Sequence, residues 1–236
     1  MRFLVTRAPD TAAAFAEALR ERGHEAVIAP LFRVRFICGA PLDLDGFSAI
    51  VFTSANGVAA LAQRCAVRDL PVFAVGPQTA GAARAAGFTL VRGADGDRRD
   101  LAALIARGIP PGSRLLHAAG MDGYDVPVEG YDVCRIPLYD MEAAAQLPEE
   151  ACRALRAGTL SGSFFFSPRG AAVFCALALR DGLDGFCVGL DAYCISAATA
   201  NFLSRLRFAH FYIAHRPNRA ALLNMLPILP SDIKAQ

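Results

Sequence analysis

Apolar residues in this chain come in short runs that stop abruptly at a hydroxyl residue, and each stop is followed by a helical spacing. Ala49 to Gly57, AIVFTSANG, is one such stretch, and Ser163 to Gly170, SFFFSPRG, is its echo. In both, a run read as a buried strand ends at Ser54 or Ser167 and a helix begins at once. A second strand-turn-helix follows each, VFAVGPQTAGAARAAG and YCISAATANFLSRL, with Gly76 and Thr79 matched by Ser196 and Thr199. Third strands are predicted at 88–91 (FTLV) and 210–214 (HFYIA), leading to helices DLAALI and RAALLNML. The pattern predicts an internal duplication of a β-turn-α unit.

Further segments enlarge the repeat. RFLVT, residues 2–6, reads as a strand; AAAFAEALRERG follows as a helix that Asp10 or Thr11 can cap and Gly23 can end. EAVIAP at 25–30 is the next strand, and LFRVRF after it alternates apolar and basic residues as an exposed ribbon does. HEAVIAPLF is mirrored by YDVCRIPLY, so strands 2–6 and 25–30 correspond to strands 114–118 and 132–138; only a short helix or turn separates the latter two. The first pair then completes the sheet of the C-terminal block, and the second pair completes the sheet of the middle block. The expected organisation is an α/β domain of residues 1–33 plus 140–236, an inserted α/β domain of 37–136, and linker strands 34–36 and 137–139. Such a doubly connected pair is expected to hinge around a cleft suited to a small molecule.

Composition narrows the chemistry. With 236 residues, 54% hydrophobic and without Trp, the chain has room for buried parallel strands. A formal net charge of +2 excludes a nucleic-acid footprint, so anions must be held by locally aimed donors. Cys38, Cys65, Cys134, Cys152, Cys175, Cys187 and Cys194 form no C-x-x-C pair, which points to reduced thiols in a cytoplasm. MRFLVTRAPD turns polar too soon for a signal peptide, and no run approaches the ~20 apolar residues a membrane helix needs.

The strand ends carry the candidate site. Thr53, Ser54, Ala55 and Asn56; Gly76, Pro77 and Thr79; Ser167, Pro168 and Arg169; and Ser196 and Thr199 each open a helix. Helix starts offer unpaired backbone N–H groups and a positive dipole end, which suit carboxylate or phosphate. At a single position an ordinary N-cap explains these residue types equally well. GPQTAG lacks the Lys-Ser/Thr of a P-loop, no G-x-G-x-x-G follows a strand, and neither Ser54 nor Ser167 sits in G-x-S-x-G. The four His (His24, His117, His210, His215) lack metal-ligand spacing; His24 reads as a helix-end residue and His117 as a strand-end residue able to face the cleft.

The ordered set VTRAPD, EAVIAP, IVFTSANGV, VFAVGPQTA, LLHAAG, VCRIPLYD, FFFSPRGA and ISAATA resembles the uroporphyrinogen-III synthase family over nearly the whole chain. The resemblance implies two flavodoxin-like parallel-sheet α/β domains joined by a two-stranded linker. It implies closure of hydroxymethylbilane to uroporphyrinogen III with inversion of ring D and loss of water, in tetrapyrrole (heme) biosynthesis. No cofactor and no metal are implied. A cytoplasmic monomer is expected, with a transient handover from the deaminase that makes the substrate, and no nucleic-acid or membrane partner. Tyr139, in IPLYD, falls on the family's candidate acid for departure of the ring A hydroxyl. Thr199, Ser54, Ser167 and the N–H groups after them fall on carboxylate-binding positions, with Thr6, Arg7 and Arg169 beside them. Two departures stand out: Ser196 replaces the family glycine, and Asn56 stands where some relatives have arginine. Arg7, Arg169 and Arg216 are the candidates to compensate, although Arg216 also reads as a plain loop charge. The alternatives are a non-catalytic two-lobed binder of a tetrapyrrole or another polyanion, and an inactive homologue.

Overall fold

The computed structural model describes residues 1–94, 98–123 and 125–226, with the backbone alone at 9–11, 98 and 99. The first elements are β1 (Arg2–Val5), α1 (Pro9–Arg20), β2 (Glu25–Ile28) and β3 (Phe32–Phe36). Next come β4 (Ala49–Phe52), α2 (Ala55–Arg64), β5 (Val72–Val75), α3 (Pro77–Ala85), β6 (Val91–Ala94), α4 (Arg98–Ala106), β7 (Arg114–Gly120) and β8 (Asp132–Ala143). The chain continues through α5 (Glu149–Arg156), β9 (Gly162–Phe165), α6 (Pro168–Arg180), a 3-10 turn at Asp184–Cys187, β10 (Asp191–Cys194), α7 (Ala197–Asn201), β11 (His210–Ile213) and α8 (Arg219–Leu223). Contacts divide these into two units, Met1–Arg33 with Ala143–Gln236, and Val34–Glu142.

In the unit that carries both chain ends the strands run β11-β10-β9-β1-β2, all parallel. This is the flavodoxin strand order. In the inner strands β1, β9 and β10 both faces are covered, so the positions after the first are buried and, Ser163 apart, apolar, whereas the edge strand β11 is exposed throughout. Phe3, Val5, Phe164 and Tyr193 face one way, onto Ala12, Phe15 and Leu19 of α1 and Ala221 and Leu222 of α8. Leu4, Val27, Phe165, Ala192 and Cys194 face the other, onto Ala151, Ala154 and Leu155 of α5 and Ala171, Phe174 and Ala178 of α6.

The unit Val34–Glu142 holds strands in the order β3-β8-β7-β4-β5-β6. Strands β8, β7, β4, β5 and β6 are parallel. The edge strand β3 runs against β8: Ile37 N–H donates to the Leu138 carbonyl (2.8 Å), while Arg35 pairs with Asp140 and Glu142, so partner numbers rise as the others fall. One face buries Ile50, Phe52, Leu116 and Ala118 with Val58 and Leu61 of α2; the other buries Val51, Phe73 and Leu115 with Leu101 and Ile105 of α4. Helix α2 reaches β7 closely because of Gly57, where a β-carbon would stand 2.5 Å from the Ala118 carbonyl oxygen.

The two parallel neighbours β7 and β8 are joined by 121–131 without a helix among the described residues. A parallel crossover usually uses one. Here the buried side chains of Val126 and Val128 line the sheet instead, and Tyr131 Oη donates to the Ile109 carbonyl (2.8 Å).

Two expectations are corrected, and one helix is added. The strand expected at 88–91 lies at Val91–Ala94. Gly87 takes φ +91 and turns Phe88 into the core, where it is 3% exposed against Phe52, so the strand starts later. Helix α1 starts at Pro9 with Ala8 in the capping position, which leaves neither Asp10 nor Thr11 there; their side chains lie outside the described residues. Helix α5 stands where no element was expected. Glu149 and Glu150 in its first turn and Arg153 and Arg156 in its last complement the helix dipole, and Ala151, Ala154 and Leu155 bury its inner face.

Candidate functional site

Each sheet has a point where the strand order reverses, between β1 and β9 in one unit and between β4 and β7 in the other. In open α/β sheets ligands bind beyond the carboxyl ends of the strands at such a point. In Val34–Glu142 a cavity of about 390 Å³ opens there, walled by Thr53 and Ser54 after β4, His117 and Gly120 of β7, Asp122 after it, and Tyr139 of β8. Val75, Val126 and Met141 supply its apolar lining.

The β4 wall follows from turn chemistry. At Ser54 the backbone is still extended (φ −155°, ψ 145°), and its Oγ accepts from Asn56 N–H at 3.1 Å, capping α2. Thr53, one residue earlier, is exposed and lies 3.2 Å through Oγ1 from Nε2 of the buried His117. Asn56 directs its amide at Met141 Sδ, 3.9 Å away.

The Tyr139 wall follows from a bulge. Ala119 pairs with Pro137, but Gly120 pairs with Tyr139, so Leu138 is passed over. Proline has no N–H for the ladder, which is where a strand loses register most easily. The extra residue lets Leu138 and Tyr139, adjacent in sequence, join the same core cluster, and it swings Tyr139 onto the end of β7. Met121 N–H donates to the Tyr139 carbonyl at 2.8 Å. The turn Gly120–Gly123 closes with a 3.0 Å bond, and Arg135 donates to the carbonyls of Gly120 and Met121.

Of the residues expected here, Thr53, Ser54 and Tyr139 line this cavity; Ala55 and Asn56 follow on α2. Gly76, Pro77 and Thr79 do not line it, although Val75 just before them does. Gly76 takes φ +78°, Pro77 opens α3 and Thr79 is buried. His117 was legible only as a strand-end residue. Gly120 and Arg135 lie in the quoted LLHAAG and VCRIPLYD segments but, like Asp122, were not picked out as site residues, because the turn that gathers them depends on the bulge.

The other unit brings its expected residues to three adjacent strand ends. After β1, Thr6 is buried and donates through Oγ1 to the Phe164 carbonyl (2.7 Å), while the Arg7 guanidinium lies 4.9 Å over Phe166. After β9, Ser167 Oγ accepts from Gly170 N–H (3.0 Å), Pro168 begins α6, and Arg169 lies 4.8 Å over Phe32. After β10, Ser196 Oγ accepts from Thr199 N–H (3.3 Å), and the two hydroxyls are 3.0 Å apart. Thr199 is fully buried, so Ser196 is the outer member of the pair. Arg216 is exposed in the loop after β11. Ser196 is extended (φ −158°) where its counterpart Gly76 is left-handed (φ +78°), which is why a side chain is accommodated at one turn and not the other.

No group of three or more His, Cys, Asp or Glu stands together as metal ligands among the described residues, and none of their helices is long and apolar enough to cross a membrane. The model of the family described as uroporphyrinogen-III synthase HemD (HEM4) matches residues 13–224. The chain belongs to the uroporphyrinogen-III synthase family. Among solved structures, wild-type uroporphyrinogen III synthase of Thermus thermophilus is 17% identical, with 95% of this chain and 96% of that one covered at a TM-score of 0.44. A mutant selenomethionine form of that enzyme is 15% identical, with 95% and 97% covered at 0.45. A further Thermus thermophilus uroporphyrinogen III synthase structure is 17% identical, with 95% and 97% covered at 0.42. No curated protein matches the chain.

Proposed function

We propose that this member of the uroporphyrinogen-III synthase family is an active synthase, a lyase that closes hydroxymethylbilane to uroporphyrinogen III with inversion of ring D and release of water. The observation that carries this reading is Tyr139, set by the bulge into the wall of the switch-point cavity beside Thr53 and Ser54. Its phenol is the acid: it donates toward the ring A hydroxyl as the carbon–oxygen bond breaks, the oxygen leaves as water, and the ring nitrogen supplies the electron pair. Closure without inversion occurs spontaneously, so the protein's task is positioning more than proton transfer. Helix starts after β4 and β9, with Arg7 and Arg169 nearby in their own unit, offer donors to the substrate's carboxylates. The same reading makes the protein a cytoplasmic monomer that receives hydroxymethylbilane from the deaminase.

A second reading, a tetrapyrrole binder without turnover, is favoured by Ser196, whose side chain stands at the opening of α7 where the resemblance implies glycine and narrows the approach of a carboxylate to the backbone. A coupled assay separates the two. Hydroxymethylbilane is generated in place from porphobilinogen, the protein is added, and the oxidised type I and type III isomers are separated chromatographically. A shift from type I to type III supports the synthase; type I alone from folded protein that retains uroporphyrin supports the binder.

A further inference from the structure

Strand β7 is apolar around one residue. Leu115, Leu116, Ala118 and Ala119 are buried, and among them His117 is only 1% exposed. An imidazole at such a position costs free energy that valine would not, unless its polar atoms are used. His117 pairs with Val51 of β4, and Thr53, just past the end of β4, follows two residues later on the same side of the chain. There Nε2 and Thr53 Oγ1 stand 3.2 Å apart. The ring is fixed by burial, while Thr53 is exposed, and both residues line the cavity.

A hydroxyl has one hydrogen. Were Nε2 the acceptor, Thr53 would turn that hydrogen inward and offer only lone pairs to the cavity, which a carboxylate would avoid. With Nε2–H as donor, the hydrogen of Thr53 is released toward the cavity, at the positive start of α2.

We infer that His117 is a positioning residue: as the Nε2–H tautomer it donates to Thr53 Oγ1 and turns the Thr53 hydroxyl outward to donate to a carboxylate oxygen of the bound tetrapyrrole. The identity of that ligand rests on the synthase reading, whereas the tautomer is a property of the folded protein before any ligand arrives.

Two measurements keep these apart. Long-range proton–nitrogen correlation on the free, nitrogen-15-labelled protein is expected to show His117 protonated at Nε2 and not at Nδ1; the reverse overturns the inference whatever the protein turns over. Binding of uroporphyrin, an octacarboxylate, is then followed by fluorescence, and type III formation by kinetics. His117→Phe is expected to weaken uroporphyrin binding and raise KM about tenfold with kcat little changed, the loss of one hydrogen bond to a charged group. His117→Gln, whose side-chain amide can stand in for Nε2–H, restores most of the loss. In a Thr53→Val background His117→Phe adds nothing further. Unchanged uroporphyrin affinity in folded His117→Phe, or an equal loss in both backgrounds, overturns the inference. Type I product alone from the wild type would sink the synthase reading, while the tautomer and the uroporphyrin titrations would still decide the role of His117.

Discussion

The ring of Tyr139 lies against the backbone of Gly120: a β-carbon added at Gly120 would stand 2.9 Å from Cε2, 3.0 Å from Cζ and 3.2 Å from the phenol oxygen. Glycine is required here by close approach alone, since this residue has no positive φ. Gly120→Ala is therefore expected to displace the ring while leaving the strand intact. On the proposed role of Tyr139 as acid, type III formation should fall about 10- to 100-fold, in line with the cost of misplacing a reacting group by about 1 Å. Far-ultraviolet circular dichroism should be unchanged, and wild-type turnover in this variant would show that the placement of Tyr139 does not matter.

Tyr139→Phe keeps the ring and removes the proposed proton donor. Turnover should fall by about ten- to a hundredfold, below the roughly 10²–10⁴ of a full general acid. Steady-state measurement of type III product checks this, and an unchanged kcat would remove Tyr139 from the chemistry.

The paired turns at Gly76 and Ser196 should respond differently to alanine. Gly76 holds φ +78° with nothing within 4 Å of a would-be β-carbon, so Gly76→Ala meets no clash and is strained only in its backbone. A loss of about 1 kcal/mol or more is expected. Ser196→Ala, at an extended backbone, should lose the cap of Thr199 N–H, about 1 kcal/mol. Ser196→Gly should cost only a few tenths of a kcal/mol. Denaturant midpoints of the three variants test the ordering, and equal losses for Ser196→Ala and Ser196→Gly would contradict it.

Burial pushes the thiols of Cys187 and Cys194 up from 9.0 to about 12, and burial followed by the nearby Asp191 pushes the Tyr193 phenol up from 10.0 to about 12. The unfolded chain therefore loses these protons first as pH rises. Stability is fully present below pH 9 and declines as the pH climbs toward about 12, by at most about 1.4 kcal/mol per pH unit for each group. Urea midpoints at about pH 8 and about pH 10.5 should show the decline. At neutral pH iodoacetamide should modify the exposed Cys38 and spare Cys187 and Cys194 until the chain unfolds. A midpoint independent of alkaline pH would contradict the burial of these groups.

The strand-turn-helix units at 49–57 and 163–170 were legible because their signals are local. A four-residue apolar strand, a serine and a helical spacing all lie within one window, and the structure puts Ser54 and Ser167 at N-caps with their hydroxyls bonded as such residues bond. Helix α5 was not named from the sequence although Glu149, Glu150, Arg153 and Arg156 carry a dipole signal, because its eight residues offer little more than two turns of apolar period. The late start of β6 turned on Gly87 and on where Phe88 finds its core, and spacing alone does not contain that.

By itself the sequence determined a duplicated β-turn-α chain, with inner parallel strands buried on both faces and polar, helix-opening residues at their carboxyl ends. Those properties depend on side-chain period and turn chemistry within a few residues. The repeats also foretold how the strands combine: β1 and β2 stand beside β9 as β7 and β8 stand beside β4, so each sheet joins strands from both halves of the duplication. The tertiary structure decided the register within those sheets. It also decided that Tyr139 faces the cavity, through a one-residue slip at Pro137, and that His117 meets Thr53 from 64 residues away. Register and partner are non-local: a slip of one residue exchanges the faces of a strand, and only the burial of the whole sheet selects which slip is kept.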